Sequence, residues 1–126
     1  MVLVDTSIWI DYFKGKESAR LLNELIDDNE ICVNELILSE LIPSIEHRGE
    51  PGLKDMLFSI TDVPLSVDWH AIRAMQLKNL KNGINNVGIP DLIIALNVID
   101  NGIVLFSSDK HVSLMSQIHG FKLYGQ

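Results

Sequence analysis

Apolar positions fall along this chain in two rhythms, short unbroken runs and longer stretches that repeat every three or four residues. The first kind suits strands buried on both faces, and the second suits helices with one face in a core. Val2, Leu3 and Val4 form the first run, which ends at Asp5. Ile8, Trp9, Tyr12 and Phe13 then return at helical spacing, with Asp5, Thr6 or Ser7 able to cap that helix and Gly15 to stop it. Ser18 is placed to cap a second helix through Leu21, Leu22, Leu25 and Ile26. The polar residues 27–30 turn the chain into a second run, Ile31, Cys32 and Val33. Asn34 can cap a helix that carries Leu36, Ile37, Glu40 and Leu41 and reaches about His47.

Residues 49–52 hold two glycines and a proline and mark a break. A short helix is expected over 53–58 and a third strand over 60–65, near a sheet edge because Pro64 cannot donate to a ladder. Asp68 or Ser66 starts a helix through Ile72, Met75, Gln76 and Leu80. After the loop at 82–86, Pro90 fits the first turn of another helix, which runs through Leu92, Ile93, Ala95, Leu96 and Ile99 to Asn101 and Gly102. Residues 103–106 read as a strand, a last helix carries Val112, Leu114 and Met115, and 121–123 suggest a final strand. Strands alternating with helices predict an α/β fold with a largely parallel sheet of four to five strands.

Composition narrows this picture. The 126 residues fit one domain, expected to span 1–126, and at 47% hydrophobic they can build a core. The lone Cys32 cannot form an internal disulfide and reads as a core residue. Asp5 interrupts the N-terminus before a signal-peptide apolar region forms, and no apolar run approaches the roughly 20 residues that span a bilayer. The expectation is a soluble, cytoplasmic protein. The net charge of −7 argues against a simple nucleic-acid binder, because phosphate contacts reward basic surfaces. That objection weakens where acids are gathered to hold divalent cations.

Four of the 17 acids stand where such a site would form. In open α/β sheets, sites lie at the carboxyl ends of strands. Asp5 directly follows the first strand, Asp109 follows the strand at 103–106, and Asp91 opens a helix after a loop. Glu40 interrupts the apolar stretch 36–42, where a buried charge would need a partner or a metal. Each has an ordinary structural reading: Asp5, Asp91 and Asp109 as helix caps, Glu40 as an exposed helix edge. Together they describe a carboxylate cluster that repels itself unless a cation fills it. Hard oxygen donors with few histidines suit Mg2+ or Mn2+ better than zinc. Lys78 and Lys81, or Lys14, Lys16 and Arg20, can touch phosphate or simply face solvent, and His111 beside Asp109 can assist or lie exposed.

Four stretches, 4–10, 38–41, 88–95 and 105–111, contain these acids and resemble the signature segments of PIN domains, in the family's order. They are most similar to VapC-type toxins of toxin–antitoxin pairs. The resemblance implies a three-layer α/β/α fold and a magnesium-dependent ribonuclease with Asp5, Glu40, Asp91 and Asp109 as catalytic, metal-binding acids. It puts supporting hydroxyls at Ser107, where the family more often has threonine, and at Thr6. An RNA substrate, inhibition by a small antitoxin protein and a homodimer are also implied. Val112 departs from the aromatic residue that often follows the fourth acid.

Other chemistries fit less well. A haloacid-dehalogenase-like phosphatase using Asp5 as nucleophile would want a second Asp two residues on, where Ser7 stands. The phosphate-cradling loops GxxxxGK[ST] and GxGxxG are absent from the sequence. The remaining alternative is a catalytically silent PIN-fold binding module.

Overall fold

The fold was analysed in a computed structural model, which describes residues 1–125. Its sheet is built from the short apolar runs: β1 (Val2–Val4), β2 (Ile31–Val33), β3 (Thr61–Asp62) and β4 (Val104–Phe106). The order is β3-β2-β1-β4 and every pairing is parallel. Val2 pairs with Ile31 on one side and Val104 on the other, so β1 lies at the centre. All residues of β1 and β2 are buried, which requires helices on both faces and gives the expected α/β/α layering. Leu3, Cys32 and Leu105 are fully inaccessible, and burial pushes the Cys32 thiol up to about 11.

The helices are α1 (Thr6–Phe13), α2 (Leu21–Asp27), α3 (Glu35–Arg48), α4 (Pro51–Phe58), α5 (Trp69–Lys81), α6 (Ile89–Asn101) and α7 (Lys110–His119). Their starts follow local chemistry. Asn34 caps α3 through Ile37 N, Asp68 caps α5 through Ala71 N, and Pro90 sits in the first turn of α6. Gly102 ends α6 with φ +59°, a left-handed conformation that glycine adopts without steric cost. Crossing α3, Pro43 removes one ladder donor without ending the helix.

Three expectations need correction. The strand over 60–65 shrinks to Thr61–Asp62, both exposed at the sheet edge. Val63 N still reaches Val33 O at 2.7 Å, but the following Pro64 has no N–H and the pairing stops. Residues 121–123 form only a parallel bridge, Leu123 to Leu105, so the sheet has four strands among the described residues. Finally, α2 begins at Leu21 with Arg20 at its cap position, after a 3-10 turn over Glu17–Ala19. The Ser18 side chain, expected to cap it, lies outside the described part of the structure.

Candidate metal centre

Parallel pairing of β1 with β4 brings their carboxyl ends to one edge, and two distant acids come with them. Asp5 follows β1 and is the N-cap of α1, while Asp109 lies just past β4 and is the N-cap of α7. Asp5 N donates to Phe106 O at 2.9 Å, which locks this register directly under the acids. Asp91 occupies the first turn of α6. Three helix N-termini therefore meet the rim, and their partial positive charge favours carboxylates and phosphate alike.

Asp5 is the most enclosed of the four, 6% exposed. Its Oδ1 accepts from Thr6 N at 2.8 Å, and its Oδ2 accepts from Ser107 Oγ at 2.8 Å and Ser7 Oγ at 3.3 Å. Burial raises its pKa; the Ser107, Thr6 and Ser7 hydrogen bonds oppose that shift, and Asp109 adds to it. Ser107 Oγ also accepts from Asp109 N at 3.1 Å, so one hydroxyl joins the two acids. Thr6 Oγ1 donates to Glu40 Oε1 at 3.0 Å, tying α3 to the first turn of α1.

Glu40 is reached for a different reason than its sequence context suggested. Helix α3 turns Ile37, Leu38, Leu41 and Ile42 inward and Ser39 and Glu40 outward, so burial does not demand a partner for Glu40. Asp91 carries the clearest sign of proximity. Its pKa is pushed up to about 6, first by burial and then by the charges of Asp109, Asp5 and Glu40; His111 pulls the other way. The other three acids thus lie within electrostatic reach of Asp91.

Among the described residues, no three His, Cys, Asp or Glu side chains stand close enough together to hold a metal ion as they lie. The acids are near enough for their charges to act on Asp91, but a shared ion would require their side chains to draw closer. An all-oxygen set of this charge fits a hard divalent cation such as Mg2+ or Mn2+, with Asp5, Glu40, Asp91 and Asp109 as the available donors.

Two further residues touch these acids, one of them not singled out by sequence reasoning. Ser7, read there only as a possible cap, donates to Asp5 and accepts from Ser108 N at 3.4 Å. His111 donates its backbone N–H to Asp109 Oδ1 at 2.7 Å and places Nδ1 3.5 Å from the same oxygen. The aromatic spacing of α1 is that of packing: Trp9 is fully buried, meets Tyr12 edge-on and lies tilted against Phe13. Lys16 and Arg20 pair with Asp11 and Glu17. Beside Glu40 a cavity of about 230 Å³ opens between α1 and α3, with Ile10, Phe13 and Leu41 along it and Lys14 and Arg48 at its margin.

Comparison with known proteins places the chain. The family model described as PIN domain matches residues 2–117. No curated protein sequence matches it significantly. Among solved structures, a chain of DNA-bound VapBC from Salmonella typhimurium is similar at 15% identity, covering 97% of this chain and 95% of that one with a TM-score of 0.73. VapBC2 from Rickettsia felis, bound to a DNA fragment from its promoter, is similar at 17% identity, 98% and 97% coverage and a TM-score of 0.69. FitAcB from Neisseria gonorrhoeae is similar at 13% identity, 94% coverage of both chains and a TM-score of 0.65. At these identities the structural likeness concerns the fold.

Proposed function

The chain belongs to the PIN-domain family, and from that premise we propose that it is a divalent-metal-dependent endoribonuclease, the toxin of a VapBC-type toxin–antitoxin pair. The observation that supports this reading is at Asp91, whose pKa is pushed up to about 6 by burial and by the nearby charges of Asp109, Asp5 and Glu40. A site that strains to keep its carboxylates ionised is a functional candidate on physical grounds. When bound, Mg2+ or Mn2+ supplies the charge that lets water attack a phosphodiester and steadies the leaving oxygen. The chain's own groups do the rest. Ser107, Thr6 and Ser7 fix Asp5 in one orientation, Thr6 also holds Glu40, and the N-termini of α1, α6 and α7 face the substrate's phosphate.

RNA binding must contend with the net charge of −7. Lys14, beside the cavity that Glu40 borders, supplies a cation where a flanking phosphate would pass, and Arg48 at the same cavity is paired with Glu50. Antitoxin control is supported by the likeness to chains of VapBC and FitAcB structures. An antitoxin Arg or Lys inserted among the four acids would match their charge and geometry. Its affinity is then expected to fall as Mg2+ is added, and an affinity indifferent to excess metal would contradict that mode of inhibition.

Incubation of the purified chain with single-stranded RNA in Mg2+, and in parallel in chelator, tests the activity. Internal cleavage in Mg2+ alone is expected. RNA left intact at every metal concentration would favour the silent binding module instead.

A further inference from the structure

Beneath the carboxylate rim lies a polar contact that the chemistry above leaves unused. Asn34 and Asn97 are 0% and 2% exposed, in a core otherwise dominated by aliphatic side chains. Their amides are nevertheless engaged. Asn34 Oδ1 accepts from Ile37 N at 2.9 Å, and its Nδ2 donates to Asn97 Oδ1 at 2.9 Å. Asn97 Nδ2 in turn donates to Pro64 O at 2.9 Å, where the chain leaves the edge strand β3.

Capping alone does not call for this arrangement. An N-cap needs one side-chain oxygen, and Ser or Thr supplies it. The amide nitrogen of Asn34 reaches another helix, and that helix carries Asp91. Glu40 lies six residues after Asn34 on α3, and Asp91 six residues before Asn97 on α6. Each acid is therefore about 9 Å of helix rise from the contact. Apolar packing is non-directional, and α3 and α6 pack mainly on other elements, α3 on α4 and α1 and α6 on α5 and β4, so little else fixes one against the other. A buried amide chain in which each oxygen and nitrogen has a partner favours one geometry, and leaving a member unpaired costs its desolvation penalty. The link to Pro64 O refers both helices to the sheet edge.

We propose that Asn34 and Asn97 are positioning residues that set α3 against α6, and thereby the placement of Glu40 relative to Asp91 and the metal affinity of the rim. This rests on the metal-centre reading above. Groups that bond to metal ligands change metal affinity when removed, even though they never touch the ion, and Asn34 and Asn97 act on that placement one step further out, through the helices that carry Glu40 and Asp91.

The test uses the full chain. The double variant Asn34→Ser with Asn97→Leu keeps a capping oxygen and leaves no side-chain amide orphaned. The single variant Asn34→Thr keeps the cap and loses the tie, and it decides the matter if the double variant does not fold. Mn2+ binding is measured by calorimetry on folded protein, alongside kcat and KM on RNA. We expect about tenfold weaker Mn2+ binding and a lower kcat with KM retained, beyond any change in Tm. Mn2+ affinity within about twofold of the parent in a folded variant would overturn the proposal, since a purely structural contact moves Tm alone. Should the parent chain itself neither bind Mn2+ nor cleave RNA, the metal-centre reading fails first and takes this inference with it.

Discussion

Asp91 concentrates the electrostatic cost of the rim, and its protonation makes that cost measurable. Its pKa rises from an ordinary 3.8 to about 6, so between those values the folded chain binds more protons than the unfolded one. Stability without metal is then expected to fall as pH rises from about 4 to about 6 and to level off above, with buried Asp5 adding in the same direction. Urea unfolding in chelator across that range checks the sign; stability that rises with pH there would contradict it. Asp91→Asn removes the charge at nearly constant shape. We expect it to abolish cleavage while leaving the metal-free fold as stable as before, or more stable by roughly 1 kcal/mol after allowance for solvent screening. A large loss in chelator melts would make Asp91 structural. Ser107→Ala acts oppositely, because Ser107 donates to the ionised Asp5 and accepts from Asp109 N. It should cost about 1–3 kcal/mol at pH 7 and less as pH falls, since a protonated Asp5 needs that donor less. Position after a strand made Asp5 and Asp109 legible in the sequence. Ser7 was not, because its contact with Ser108 joins residues 101 apart that only the fold brings together.

At the scale of elements, apolar rhythm was a sufficient guide wherever a run was long or well capped. Runs at 2–4 and 31–33 became the central strands, and Pro90 and Gly102 bracket α6 as their backbone preferences require. What escaped was set by pairing rather than by pattern. The run at 60–65 has strand-like residues but loses its partner at Pro64, and 121–123 meets the sheet at one point. Glu40 shows the same limit within a helix: an apolar neighbourhood in sequence is not burial, because α3 turns that residue outward. One consequence is testable at Gly102. A side chain there would be strained at φ +59°, although nothing stands within 4 Å of the position. Gly102→Ala is expected to lower stability by about 1 kcal/mol through backbone strain alone, with cleavage retained. Unchanged or higher stability in denaturant unfolding would show that this cap tolerates a Cβ.

Across the whole molecule, the acidic balance and the exposed apolar side chains make different demands. Trp69, Leu77 and Leu80 are 58%, 53% and 54% exposed and share a face of α5. Exposed apolar groups on one face suit association, and the proposed homodimer should appear as twice the 14.1 kDa chain mass in light scattering. A monomer at working concentration would count against it. Lys14 lies beside Glu40's cavity in a chain of net charge −7. Lys14→Gln is expected to raise KM for RNA without lowering kcat and to reduce the salt slope of binding by about one. All of this presupposes that the four acids hold a metal together, and one measurement reaches that claim directly. Crystals grown with Mn2+ should show an anomalous peak bounded by the carboxylates of Asp5, Glu40, Asp91 and Asp109, lost in Asp91→Asn. A saturating Mn2+ soak that leaves this rim without a peak, or places the ion on other acids, would contradict the account.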